Sequence, residues 1–191
     1  MAGSARYTAV LDANALYPAL LRDLLLSLAH ADLYSANWSA HIRDEWTRSL
    51  LRDRPAMRTQ IAAAAQAMED VIADGLVVGY EHLIEGLTLP DPDDRHVLAA
   101  AIVGHADAIV TFNQKDFPEE ILGPLGIETQ TPDEFVLNQL LLDKATTLSA
   151  IKRMRERWNR PQYDAAALIA LLEQRGLPQT AAHLLDALVL I

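Results

Sequence analysis

The sequence predicts an α/β protein: a central parallel sheet of four to five strands with helices on both faces, three layers in all, followed by an all-helical extension. Three observations predict it. Short β-prone runs alternate with helical apolar periodicity from about residue 7 to residue 136, and that alternation gives parallel strands joined by right-handed crossovers. From Leu137 onward the strand signals stop, so residues 1 to 136 read as one domain and residues 137 to 191 as the extension. Apolar residues make up 51% of the 191-residue chain and are spread along its whole length, enough to bury a core of ordinary size.

Each element has its own signal. Tyr7 to Leu11 is a β-prone run ending in Asp12, and Leu20, Leu21, Leu24, Leu25 and Leu28 then mark one face of a helix. Leu33 to Ser35 reads as a brief second strand. Ser39 stands where an N-cap would start a helix through Ile42, Trp46, Leu50 and Leu51, with Glu45 upon it. Pro55 interrupts, Ala56 to Asp74 is an alanine-rich helix closed by Gly75, and Leu76 to Gly79 is a third strand. In LPDPDDRHVLAAAIVGHA, Asp91 is a natural N-cap and Pro92 takes the first helical position, which puts Asp93 and Asp94 in the first turn. Ala108 to Phe112 is the clearest strand, Gly126 to Thr129 is a weaker one, and Thr131 with Pro132 opens another helix. The extension reads as three helices broken near Pro161 and at Gly176 with Pro178.

Composition narrows the chemistry. The absence of cysteine excludes a disulfide scaffold, a thiolate zinc site and a cysteine nucleophile, so any metal must be held by oxygen or imidazole. The segment MAGSARYTAV carries one arginine and no long apolar run, and no stretch approaches the roughly 20 apolar residues of a membrane span, so the expectation is a cytoplasmic protein without a membrane. The net charge of −10 argues against a nucleic acid partner. The charge is uneven, however, at −12 for residues 1 to 136 and +2 for residues 137 to 191. If several acids converge on a cation, the ion dominates the local field and the objection weakens.

Four carboxylates stand where chemistry is done. Strands of a parallel sheet present ligands at their carboxyl ends, and Asp12 and Asp116 both follow strands, which brings them to the same edge if those strands are central. Asp94 lies at a helix start whose free amides favour an anion. Dipole complementarity accounts for one acid there but hardly for three, although Arg95 lies close by. Each has a plainer reading: Asp12 as a helix cap, Asp116 as a solvated turn residue, and Glu45 as a surface ion-pair partner of Arg43 or Arg48. The six histidines show no shared ligand spacing and read as ordinary.

Taken together, VLDANAL, the helical acid in IRDEWTRSL, the DPDDRHVLAAAI helix start and the closing IVTFNQKDF resemble, in order and spacing, the PIN-domain nucleases, and especially toxins of the VapC type from toxin and antitoxin pairs. The resemblance covers about residues 7 to 136. It implies a PIN-like sheet in which Asp12, Glu45, Asp94 and Asp116 surround one or two divalent ions, Mg²⁺ or Mn²⁺. Asp93 is an alternative to Asp94, and Asn113 stands where many members carry an acid. Asn14 and Thr111 are expected to support the ligands from behind. The implied activity is metal-dependent hydrolysis of RNA phosphodiester bonds by an activated water. A cognate antitoxin and a homodimer are the implied partners, and the tail resembles the C-terminal helical extension of a longer VapC-like subgroup.

Two basic stretches could contact phosphates: Arg43, Arg48, Arg52, Arg54 and Arg58 along one helical region, and KRMRERWNR at 152 to 160 with Trp158, on which a base could stack. Ordinary solvated helix faces, with the tryptophan anchored in a core, fit them equally well. Two other functions are open. A phosphatase of the haloacid dehalogenase type also starts with a strand ending in Asp, but it needs a second aspartate two residues on, where Asn14 stands. A catalytically inactive PIN-like module that binds RNA or protein becomes the better account if the carboxylates are dispersed.

Overall fold

Strand β1 (Thr8–Leu11) runs through the middle of the molecule with Ala9, Val10 and Leu11 fully buried, as its apolar sequence requires of a strand covered on both faces. The computed structural model describes residues 6–159 and 161–191; the readings of residues 1–5 and of Arg160 lie outside them. β1 pairs with β2 (Ser35–Ser39) and β4 (Ala108–Val110), and β3 (Leu76–Val77) and β5 (Glu128–Gln130) form the flanks. The order is β3-β2-β1-β4-β5 and every pairing is parallel. Helices cover both sides, so the expected three-layer α/β/α architecture is present. All five carboxyl ends therefore open onto one edge.

The helices between the strands follow their local signals with shifted limits. Asp12 caps the short α1 (Ala13–Leu16), and Pro18 separates it from α2 (Ala19–His30), which buries Leu20, Leu21, Leu24, Leu25 and Leu28. The second strand lies at Ser35–Ser39, later than the expected Leu33 to Ser35, because the end of α2 occupies that stretch: Leu33 donates back to the Leu28 carbonyl and Asp32 turns at φ 64°. Pairing of Thr8 with Ser35 and Val10 with Asn37 then overrides the weak β propensity of SANWS. Ser39 does cap α3 (Ala40–Asp53), accepting from the Ile42 amide at 3.2 Å.

The alanine-rich helix is shorter than expected. Pro55–Met57 forms a 3₁₀ turn before α4 (Arg58–Val71), and Gly75 donates to the Ile72 carbonyl to return the chain. A Cβ at Gly75 would lie 2.5 Å from the Trp38 ring, so glycine is what lets β2 and the following turn approach. Asp91 caps the 3₁₀ turn Pro92–Asp94, which leads into α5 (Arg95–Val103). After β4 come α6 (Glu119–Leu122) and β5.

Thr131 and Glu134 form a capping box for α7 (Pro132–Leu142), a helix that spans the expected 136/137 boundary. Four helices rather than three carry the tail: α7 ends at Asp143, which caps α8 (Lys144–Arg157) by accepting from Thr146 at 3.0 Å, and α9 (Ala165–Gln174) and α10 (Pro178–Leu185) follow. A single polar cap at 143 was enough to divide an apolar helical run. The extension shares the apolar core of the sheet through Leu148, Ile151, Met154, Leu168, Leu172 and Leu184. Asp133, buried in α7, ties the two parts together by accepting from the Gln179 and Thr180 amides at 2.9 and 2.8 Å, so the free amides at the start of α10 are satisfied from next to β5.

Candidate active site

Asp12 continues β1 past the edge of the sheet, where its amide still bonds to the Val110 carbonyl at 3.1 Å. The carboxylate is 4% exposed and held by three donors: the Ala13 amide on Oδ1 at 2.6 Å, and the Asn14 amide and Thr111 hydroxyl on Oδ2 at 2.6 and 2.7 Å. Asn14 also donates to the Thr111 oxygen at 2.9 Å and accepts from the Phe112 amide at 2.9 Å. The loops after β1 and β4 are thus laced into one unit through Asn14 and Thr111. Burial pushes the Asp12 carboxyl up to about 6, against the Thr111 hydrogen bond, while the Glu45 charge raises it further.

Asp116 follows β4 in a 3₁₀ turn, 8% exposed, and accepts from the side-chain amide of Asn113. Asn113 therefore orients a carboxylate. Asp94 arrives from the start of α5, and oxygens of Asp91, Asp94 and Asp116 all lie within 4.8 Å of one another. Burial, then the charges of Asp12, Asp91, Asp116 and Glu45, push the Asp94 carboxyl up to about 7. Asp12 stands outside that triangle, yet its charge is the largest acting on Asp94.

Glu45 faces this group from α3 with its side chain 50% exposed, and its Oε2 lies 3.5 Å from Nε2 of His96. It is not the arginine partner its neighbours suggested, because Arg43 is taken by Glu69 at 2.7 Å and Asp44 at 3.0 Å. Asp93 is exposed and outside the carboxylate triangle. Sequence reasoning gave Asp91 only a capping role; it caps Asp93 and also joins the cluster. The signal was the first acid of DPDD, one 3₁₀ turn before Asp94. His96 was passed over because its partners are distant in sequence: its ring lies 5.4 Å from that of His41, which bonds to the Tyr80 hydroxyl at 2.8 Å.

Among the described residues no lysine or arginine pairs with Asp12, Asp91, Asp94 or Asp116, and Arg95 beside them makes no ion pair. Carboxylates gathered this way hold protons at neutral pH or else hold a cation. The donors are all hard oxygens, which fit a divalent ion such as Mg²⁺ or Mn²⁺. The structure thus passes the test of donor chemistry for the implied ion: Asp91, Asp94 and Asp116 converge, with Asp12 and Glu45 beside them.

The basic stretches are partly spent elsewhere. Arg157 pairs with Asp23 at 2.8 Å, Arg155 donates to the Tyr163 carbonyl, and the Trp158 indole donates to Asp23 while its ring packs against the core, so Trp158 anchors the extension to α2. A groove of about 400 Å³ between α2, α3, α4 and the extension is lined by Tyr17, Arg22, Arg54 and Arg175. Arg22 is buried, sits 4.3 Å over Trp46 and is lowered by burial to about 10.

Acids from β1, the start of α5 and the exit of β4, meeting at the carboxyl edge of a parallel sheet, define the PIN-domain class. The comparisons agree: residues 8–115 match the family described as PIN domain, and the chain belongs to it. More particularly, residues 132–186 match the family described as VapC50 C-terminal domain. The chain is 33% identical over 128 residues, 67% of its own length and 75% of the relative's, to a protein of Mycobacterium tuberculosis (strain ATCC 25618 / H37Rv) named "Putative ribonuclease VapC50". No solved structure matches the chain.

Proposed function

We propose that the protein is a Mg²⁺- or Mn²⁺-dependent endoribonuclease, the toxin of a toxin and antitoxin pair. The observation that carries this reading is the convergence of unpaired carboxylates at the carboxyl edge of the sheet. In it Asp12, Glu45, Asp94 and Asp116 are the catalytic and metal-holding residues, with Asp91 added and Asp93 set aside, while Asn14, Thr111 and Asn113 fix their orientation. A bound divalent ion supplies an acidified water and positive charge beside the phosphate. The residues do the rest. Asp12 is held by three donors so that it does not turn, Asn113 holds Asp116, and the mutual repulsion of Asp12 and Asp94 is what a bound cation would relieve in place of protons.

Residues 1 to 136 carry the chemistry in this reading, and residues 137 to 191 form the extension, whose Arg175 faces Arg54 across a separate groove. RNA is the substrate and a cognate antitoxin the regulator; a homodimer in the cytoplasm is the expected state. No helix among the described residues is long and apolar enough to cross a membrane. The test is cleavage of a panel of cellular RNAs by purified protein, with and without Mg²⁺ or Mn²⁺, beside an Asp12→Ala, Asp94→Ala double variant. Metal-dependent cuts that vanish in the variant are expected. Equal cutting by both, or none with any metal, leaves a binding module as the better account.

A further inference from the structure

Phe112 lies between two residues that the carboxylates use, Thr111 on Asp12 and Asn113 on Asp116. Its own side chain serves neither. The ring is 42% exposed, whereas the other two phenylalanines, Phe117 and Phe135, are 1% and 0% exposed. A single exposed apolar residue is ordinary on a protein surface. What sets this one apart is how firmly it is held beside the acids: its amide donates to Asn14 Oδ1 at 2.9 Å, the same side chain that fixes Asp12.

Its ring meets Gly176 of the extension. Gly176 closes α9 at φ 88°, with its amide on the Glu173 carbonyl and the Leu177 amide on the Leu172 carbonyl, the paired bonds of a Schellman turn. A Cβ at this position would stand 3.2 Å from Cε1 and 3.7 Å from Cζ of Phe112, so the ring lies close against the turn and a side chain there would crowd it. Asp133 fixes that turn in place through the first amides of α10. A half-exposed apolar ring backed by the extension, on a residue whose backbone is tied to the Asn14 that holds Asp12, offers the kind of face on which unstacked bases settle.

We propose that Phe112, backed by Gly176, is a stacking platform for a base of single-stranded RNA next to the scissile phosphate, so that the extension builds one wall of the substrate site. This rests on the RNA-cleaving reading above. The platform makes recognition depend on an unpaired base near the cut, and on no particular hydrogen-bonding edge of that base.

The experiment is fluorescence anisotropy of short fluorescein-labelled single-stranded RNAs, in Ca²⁺ and with one position at a time made abasic. Wild type is compared with Phe112→Leu, which keeps an apolar contact to Gly176, and with Phe112→Trp; thermal melts show that each is folded. The expected result is an abasic position that weakens wild-type binding by roughly tenfold, no such position for Phe112→Leu, and retained affinity with quenched indole emission for Phe112→Trp. The same abasic profile in Phe112→Leu as in wild type overturns the proposal, as does RNA that binds none of the proteins. Failure of the nuclease reading shows separately, in wild type that leaves both RNA and the base-free diester bis(p-nitrophenyl) phosphate intact with Mn²⁺.

Discussion

At the amino edge of the sheet Asp107 accepts from the Thr8 amide at 2.8 Å, and Glu128 accepts from the Tyr7 hydroxyl and from Gln130. At the carboxyl edge Asp91, Asp94 and Asp116 face one another, with Asp12 and Glu45 adding charge. The same strands deliver both sets. Where an acid serves the fold alone, a neutral donor meets it; where acids are left to repel, the fold retains an arrangement that folding by itself disfavours. That contrast separates the site from the other acids of a strongly anionic chain better than net charge does.

The contrast breaks most sharply under substitution of the clustered acids. Asp94→Asn is expected to lower metal-dependent RNA cleavage by about a hundredfold or more, measured as initial rate, while its melting temperature in EDTA holds or rises because one repelling charge is gone. Asp107→Asn at the other edge is expected to leave the rate within about twofold. Equal losses at the two edges would erase the distinction.

Metal addition sharpens it next. A hundredfold excess of Mn²⁺ over its dissociation constant is expected to stabilise the fold by about 3 kcal/mol, a rise of roughly 5 to 10 °C in melting temperature for a chain of this size. An Asp12→Asn, Asp94→Asn double variant is expected to lose that rise and Glu128→Gln to keep it. The pH dependence has a definite sign. Asp12 and Asp94 have folded-state values raised to about 6 and about 7, so between about pH 4 and 7 the folded chain binds more protons than the unfolded one and is destabilised as pH rises. Melting in EDTA should therefore fall across that window. With saturating Mn²⁺ the trend should reverse, since the ion requires the ionised acids; parallel curves with and without metal would mean that Asp12 and Asp94 do not take it.

The smallest effect belongs to the amino edge itself. Asp107→Ala removes one acceptor from an edge amide and is expected to cost about 1 kcal/mol in urea denaturation, with no change in the Mn²⁺ shift.

Most of the sheet was legible because β4 is apolar throughout and β1 is apolar from Ala9 on, and the alternation of strands with helices makes them parallel. β2 was misplaced because Ser35, Asn37 and Ser39 have no strand preference; their pairing with β1 is a long-range fact. The division of the tail at Asp143 was missed for the opposite reason, since a local cap overruled a continuous apolar pattern. In the site, Asp12, Asp94 and Asp116 could be read from their places at element ends. Asp91 could not be told from an N-cap, because it is one, and His96 gains its meaning only from Glu45 and His41 across the fold.

The position of β1 between β2 and β4 has a consequence for synthesis. Thr111, which fixes Asp12, lies 99 residues further along the chain. At about 5 to 20 residues per second, a ribosome releases Asp12 roughly 5 to 20 seconds before the partner that orients it. During that interval the nascent chain carries the acid of β1 without Thr111, Asp116 or the Gly176 turn, so the carboxylates can come together only once the chain has emerged past β4 through Asp116.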